Sequence, residues 1–253
     1  MIHPAAAQGF ARAPEDYERG RPSYTEEVVV HLAGVLGLAP GRRVLDLAAG
    51  TGKLTRALAA TGAEIVAVEP VDAMRARIAA SLPEAEILAG TAEEIPLPDT
   101  SVDAVAVGSA FHWFRGDEAL AEIHRVLRAG GRLGLVWNGR DESVPWVAEL
   151  TAIMEPYRGD TPSAHAGGWR AAFERTALFG PLEHARFHFE QELDPDGVVA
   201  RVTSVSFIAA LADDERAQVV ARVRELLERD PETRGRGRLV LPYRSDVFWC
   251  ERR

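Results

Sequence analysis

The sequence predicts an α/β fold in which a doubly wound, mostly parallel seven-stranded sheet carries a helical lid in the C-terminal half. Three observations lead to this prediction. Residues 23–137 alternate between segments of helical periodicity and short β-branched apolar runs, a pattern typical of successive βαβ units. A glycine-containing turn follows the first apolar run. Beyond Asn138 the alternation loosens, and strand-like patterning returns only near His184.

The pattern of apolar residues in the first half of the chain predicts five strands. The opening helix is expected over Thr25–Leu38, where apolar residues recur at helical spacing until Pro40 and Gly41 end it. The next predicted elements are a strand at Arg43–Leu47, a helix at Lys53–Thr61, a strand at Glu64–Val68, a helix at Met74–Leu82 and a strand at Glu86–Leu88. They are followed by a strand at Val102–Val107, a helix near Asp117–Leu127 and a strand from Gly131 through Val136.

The second half predicts the lid and two further strands. Glycine and proline interrupt the region after Asn138, which holds Trp146, Tyr157 and Trp169 and is expected to form the lid. The alternation over His184–Glu192 predicts a half-buried strand. Two helices, at Pro195–Leu211 and Asp214–Arg229, then precede a final strand within Leu239–Cys250. Residues 1–253 are therefore expected to form one domain, with an N-terminal arm and first helix at 1–40, a core at 41–138, and the lid with the final strands at 139–253.

Composition limits the classes of function. Hydrophobic residues make up 47% of the 253 residues and charged residues 26%, as in ordinary globular proteins. A formal net charge of -9 argues against binding to nucleic acid or to an anionic membrane surface, so a small-molecule partner is expected. The single cysteine, Cys250, excludes an internal disulfide framework, and we expect a cytoplasmic, reducing location. The sequence does not indicate an oligomeric state.

The turn after the first strand carries the main functional signal. The run Val44-Leu45-Asp46-Leu47-Ala48-Ala49-Gly50-Thr51-Gly52 joins an apolar strand to a helix. Glycine in such a turn allows a ligand to approach the backbone closely. This run resembles the nucleotide loop of class I S-adenosylmethionine-dependent methyltransferases, in particular the small-molecule, methyltransferase-11-like type. That loop reads acidic-x-Gly-x-Gly-x-Gly, so Asp46, Gly50 and Gly52 match and Ala48 replaces the first glycine.

The resemblance implies a Rossmann-like fold, S-adenosyl-L-methionine as cofactor and a set of cofactor-binding residues. Glu69, at the end of the second strand, would accept hydrogen bonds from the ribose hydroxyls, and Met74 would pack near the adenine. The cofactor-binding residues that the resemblance implies are Asp46, Ala48, Gly50, Thr51, Gly52, Glu69, Pro70, Met74, Thr91, Ala92, Glu93 and Ser109, together with Tyr17 and Arg21 from the N-terminal arm.

The acceptor side is expected where the fourth and fifth strands end. The substrate-binding residues predicted there are His112, Trp113 and Asn138. If the acceptor must lose a proton, His112 is the candidate catalytic base, because imidazole titrates near neutral pH. The alternative is that His112 and Trp113 only pack the edge of the sheet. No metal site is expected, since His184 and His188 lie four apart in a strand without a third ligand.

Two other functions are weighed against methyl transfer. An NAD(P)-dependent oxidoreductase would need glycine where Thr55 stands to complete a G-x-G-x-x-G fingerprint, and a P-loop would need glycine at Leu47 and Ser or Thr at Leu54. Both patterns fail. A catalytically silent methyltransferase-like protein that binds cofactor or a partner remains open, and Ala48 is the feature that favours it. Two structural readings are weighed separately: Asp46 could simply cap the following turn, and Glu69 could be a solvated acid at the end of its strand.

Overall fold

The described residues form one seven-stranded sheet whose strand order is β3-β2-β1-β4-β5-β7-β6. A computed structural model describes residues 20–164 and 166–253. The strands are β1 (Arg43–Leu47), β2 (Glu64–Val68), β3 (Glu86–Leu88), β4 (Val102–Gly108), β5 (Leu127–Arg140), β6 (Glu183–Leu193) and β7 (Leu239–Glu251). The first five pair in parallel, and only β7 runs antiparallel to its neighbours, β5 and β6. The predicted mostly parallel, doubly wound sheet is confirmed.

Helices cover both faces of this sheet. They are α1 (Glu26–Leu36), α2 (Lys53–Ala59), α3 (Asp72–Ser81), α4 (Gly116–Val126), α5 (Pro145–Met154), α6 (Arg170–Arg175), α7 (Pro195–Thr203), α8 (Ser206–Ala209) and α9 (Asp213–Arg229). One apolar layer packs α1 and α2 on the sheet, and another packs α4 and α6 on the opposite face. A third apolar cluster joins α5, α7, α8 and α9 to β7, which forms the predicted helical lid.

Two predicted elements differ from the structure. The single helix expected over Pro195–Leu211 is wrong, because α7 and α8 are separate helices. The Ser204 hydroxyl donates to the Arg201 carbonyl at 2.8 Å, and Val205 adopts an extended backbone that ends the helix. The fifth strand is longer than the predicted Gly131–Val136, since its pairing with β7 extends to Arg140.

The sheet has its topological switch point between β1 and β4. From β1 the chain proceeds outward to β2 and β3, and then returns to form β4 on the other side of β1. In doubly wound sheets, ligands bind outside the carboxyl ends of the strands at this point. The loop after Leu47 and the turn after Gly108 meet there, and both were singled out from the sequence.

Candidate active site

The loop between β1 and α2 has three residues in the left-handed region of backbone conformation. Ala48 and Gly50 each have φ of 58°, and Gly52 has φ of 82°. Ala48 therefore keeps the glycine-type conformation although it carries a side chain, at a steric cost of about 1–2 kcal/mol. A Cβ atom added at Gly50 would meet nothing within 4 Å. The loop is thus open on the Gly50 side, where a ligand can reach its backbone.

Asp46 carries a buried carboxylate with one unsatisfied oxygen. Its side chain is 0% exposed, and its Oδ2 atom accepts a hydrogen bond from the Thr55 hydroxyl at 2.6 Å. Its Oδ1 atom has no hydrogen-bond partner. Burial raises the pKa of Asp46 from 3.8 to about 7, despite the Thr55 hydrogen bond that lowers it. Leaving a buried acceptor unpaired destabilises the fold unless a ligand supplies a donor.

Glu69 links the end of β2 to the loop that follows β1. One carboxylate oxygen accepts from the Gly50 amide at 2.9 Å, and the other accepts from the Val71 amide at 3.0 Å. The side chain is buried, and burial raises the pKa of Glu69 against these hydrogen bonds. A carboxylate has about four acceptor positions, so both oxygens can still receive a ligand hydroxyl. Glu69 therefore positions the loop in addition to its expected ribose role.

The residues expected on the adenine side follow β2 and β3 in the chain, with Met74 in α3, and their contacts differ. Met74 and Ala92 are buried, and Thr91 pairs with Glu94 in an isolated bridge. Pro70 is half-buried. The Glu93 carboxylate accepts from the Arg115 amide at 2.9 Å, just before α4 begins. The Glu93 carboxylate thus already binds the backbone ahead of α4. The cofactor roles of Glu93, Pro70, Met74, Thr91 and Ala92 stay predictions.

Two neighbouring cavities lie at the carboxyl ends of β1, β4 and β5. The nucleotide-loop cavity is lined by Asp46, Ala48, Gly50 and Thr51, among others. The lid cavity has a volume of about 140 Å³ and is lined by residues from β5, α5, α7 and α8 and by the segment after β4. Four residues line both cavities, namely Arg21, Ser109, Asn138 and Arg201. The two cavities therefore meet, while Tyr17 lies outside the described residues.

His112 and Trp113 lie in a short 3₁₀ turn, Phe111–Trp113, at the mouth of the lid cavity. The indole N–H of Trp137 donates to Nδ1 of His112 at 3.2 Å. Because an indole can only donate, Nδ1 must be the acceptor, and a neutral His112 carries its proton on Nε2. In this arrangement His112 presents a hydrogen-bond donor. It can act as a base only if the bond to Trp137 breaks.

Asn138 is held by hydrogen bonds from two sides. Its Oδ1 atom accepts from the Ser245 hydroxyl at 2.7 Å, and its Nδ2 atom donates to the Ser23 carbonyl at 3.3 Å. Ser109 follows β4 with φ of 54°, a left-handed conformation that non-glycine residues rarely adopt. Such conformations concentrate at functional sites, where the surrounding structure enforces them. The predicted residues Ser109 and Asn138 thus lie together where the cavities join.

Arg140 and Arg201 are among the residues of the lid cavity that sequence reasoning missed. Arg140 is the last residue of β5, so its place at the carboxyl end of a strand was an available signal. Arg201 lies on α7, which only the tertiary fold brings to the cavity. Among the 29 lysines and arginines of the chain, single basic residues gave no clear signal.

Two general findings concern the described part of the chain. No group of three or more His, Cys, Asp or Glu side chains there could hold a metal ion. His184 instead contacts Asp246 at 2.7 Å and stacks on Phe248.

Within the described residues, no helix has both the length and the apolar composition that crossing a membrane requires.

Comparison with known proteins identifies relatives of the chain. A family described as "Methyltransferase domain" matches residues 45–135. An uncharacterized methyltransferase of Mycobacterium tuberculosis is 42% identical over 241 residues, which cover 92% of this chain and 91% of that protein. A solved structure from Anaeromyxobacter dehalogenans, assigned as a candidate type II methyltransferase, is 25% identical with a TM-score of 0.67, covering 92% and 97% of the two chains. Geranyl diphosphate methyltransferase in complex with S-adenosylmethionine shares the fold, with 15% identity, a TM-score of 0.50, and coverage of 90% of this chain and 85% of that one.

Proposed function

The chain belongs to the methyltransferase-domain family of class I S-adenosylmethionine-dependent methyltransferases, and on this premise we propose that it transfers the methyl group of S-adenosylmethionine to a small-molecule acceptor. The observation that supports this most strongly is the junction of the two cavities at Ser109 and Asn138. One cavity has the buried acid and glycine loop suited to the cofactor, and the other has space for a second molecule. Methyl transfer needs two such sites that open onto each other.

The residues of the nucleotide-loop cavity fit S-adenosylmethionine. The unpartnered Oδ1 of Asp46 suits a cationic donor, and the α-ammonium of the cofactor is such a group. Glu69 has acceptor positions left for the ribose hydroxyls, and the open Gly50 side of the loop allows close approach. Arg21 and Lys53 also line this cavity and suit the cofactor carboxylate. The cofactor, when bound, supplies a methyl group already activated by its sulfonium sulfur.

The role of the protein is then to orient the acceptor and to exclude water. Trp137 and Trp113 give the lid cavity apolar walls, and the Trp137 bond directs the Nε2–H of His112 as a donor. We therefore assign His112 first to holding the acceptor. A base role requires an acceptor that must lose a proton and a His112 ring that has left Trp137.

The proposed function is tested by incubating the purified chain with S-adenosylmethionine labelled in the methyl group and a pool of small metabolites. Transfer of label to a low-molecular-weight product, reduced in Asp46→Asn, is the expected result. S-adenosylhomocysteine binding with no transfer to any fraction of the pool would favour the silent cofactor-binding alternative. Absence of both would contradict the proposed function.

A further inference from the structure

Several arginines line the lid cavity. Arg140, Arg158 and Arg201 line it, together with Arg21 at the junction with the nucleotide-loop cavity. No Asp or Glu is present among the described residues that line it. The chain as a whole has 38 acidic against 29 basic residues, so this local excess of positive charge opposes the overall balance.

Arg140 and Arg201 differ from Arg158 of the same cavity in having no carboxylate partner among the described residues. Arg158, on the same cavity, binds Glu155 through two hydrogen bonds of 2.8 and 2.9 Å. Arg140, in contrast, has only a 3.4 Å hydrogen bond to the Thr151 hydroxyl, and Arg201 donates to the Tyr243 hydroxyl at 2.8 Å. Among the described residues, no carboxylate lies within ion-pair distance of either guanidinium.

Both guanidinium groups have a buried nitrogen without a hydrogen-bond partner. The Nη1 atoms of Arg140 and Arg201 are each buried and unsatisfied, and Arg201 is only 4% exposed. Burial, and then the nearby charges of Arg201 and Arg21, lowers the pKa of Arg140 to about 9, so it stays protonated at neutral pH. Two like charges whose Nη1 donors are buried and unused destabilise the fold until an anion joins them.

We propose, as an extension of the proposed function, that the methyl acceptor carries a carboxylate that Arg140 and Arg201 bind in the lid cavity. The planar guanidinium fork matches a carboxylate through paired hydrogen bonds. The cofactor also carries a carboxylate, and Arg201 lines both cavities, as Arg21 does. Arg140 lines only the lid cavity, so it is the arginine that ties the bound carboxylate to the acceptor. The lid cavity thus selects small organic acids among the possible acceptors.

The first test measures binding of malonate, a minimal dicarboxylate, to the protein saturated with S-adenosylhomocysteine. Malonate is expected to bind, and its neutral isostere malonamide is not. Arg140→Gln and Arg201→Gln should each weaken malonate binding by about tenfold or more. In Arg140→Gln, the affinity for S-adenosylhomocysteine should stay within about twofold, because Arg140 lines only the lid cavity. Arg140→Lys and Arg201→Lys keep the charge without the fork and should show an intermediate loss, which covers the case that a Gln variant fails to fold. Arg238→Gln, an exposed arginine paired with Glu192, is the matched control and should bind malonate like the parent.

The second test asks whether the acceptor itself is an acid. A metabolite extract is separated by anion exchange, and each fraction is assayed with labelled S-adenosylmethionine. Transfer is expected in the retained fraction. The inference is overturned if the parent binds S-adenosylhomocysteine but not malonate, if it binds only inorganic phosphate, if label transfers only in the unretained fraction, or if Arg140→Gln loses S-adenosylhomocysteine and keeps malonate. Failure to bind S-adenosylhomocysteine at all would instead contradict the proposed function.

Discussion

Trp137 fixes the His112 ring by donating its indole N–H to Nδ1 over 3.2 Å. This bond makes Nδ1 the acceptor, so a neutral His112 carries its proton on Nε2 and can donate it in a hydrogen bond. His112→Ala should therefore lower turnover by about tenfold or more, the usual loss for a directed hydrogen bond to substrate. Affinity for S-adenosylhomocysteine should change little, because His112 lines the lid cavity and not the nucleotide-loop cavity. Steady-state kinetics and calorimetry measure the two quantities.

Trp137→Phe is the companion variant for this prediction. It keeps an aromatic ring beside Trp169 and removes the donor to His112 together with part of the bulk of the indole ring. If His112 acts as an oriented donor, this variant should lose part of the turnover that His112→Ala loses. Parental turnover and acceptor affinity in His112→Ala would show that His112 only packs the site.

Replacing Glu69 should affect both cofactor affinity and stability. Glu69→Ala removes the acceptor for the Gly50 and Val71 amides as well as the proposed ribose partner. We expect S-adenosylhomocysteine binding to weaken by about 1–3 kcal/mol and the melting temperature to fall. The exposed Glu94→Ala is the control, and neither property should change in it. Unchanged cofactor affinity in a folded Glu69→Ala protein would remove the ribose assignment.

The buried Asp46 carboxylate makes stability and binding depend on pH in opposite ways. Its pKa rises from 3.8 to about 7 on folding, so the folded state holds the extra proton between these values. The free energy of unfolding should therefore fall as the pH rises from about 4 to 7, and this contribution should be constant above that range. Cofactor affinity should fall as the pH drops below about 7, because protonated Asp46 cannot pair with an ammonium group.

Asp46→Asn separates these two effects. Asn can still accept from Thr55, but it carries no charge, so the apo protein should be more stable at pH 8 by about 1–3 kcal/mol. S-adenosylhomocysteine affinity should fall by about tenfold or more and lose its pH dependence between 6 and 8. Chemical denaturation and calorimetry at several pH values measure both. A variant that is less stable and binds normally would show that Asp46 is only a structural cap.

Ala48 offers a test of the loop conformation. Its φ of 58° disfavours any residue with a Cβ, so Ala48→Gly should leave stability unchanged or raise it by up to about 1 kcal/mol. Ala57→Gly, in the regular helix α2, is the matched control and should lower stability by about 1 kcal/mol. Thermal melts of the two variants decide this. Equal losses would mean that Ala48 is not held in the left-handed region.

Much of the fold followed from local pattern, whereas parts of the site did not. Apolar runs such as Arg43–Leu47 and Glu64–Val68 predicted their strands because a buried parallel sheet demands continuous apolar residues. The break at Ser204 was missed because a local side-chain hydrogen bond, and not periodicity, ends the helix there. Arg140 and Arg201 come together only through the tertiary fold, which brings α7 to the end of β5 at the lid cavity. The Trp137 bond to His112 likewise depends on tertiary structure.

The central claim, a cofactor site for S-adenosylmethionine, is tested most directly by calorimetric titration of the purified chain with S-adenosylhomocysteine and, separately, with NADH. The loop from Asp46 to Gly52 and the acid Glu69 fit S-adenosylhomocysteine. Thr55 stands where the NADH fingerprint requires glycine, and its hydroxyl donates to Asp46 instead. The expected result is saturable binding of S-adenosylhomocysteine that weakens in Asp46→Asn, with no heat from NADH. Tight binding of NADH without any response to S-adenosylhomocysteine would contradict the account.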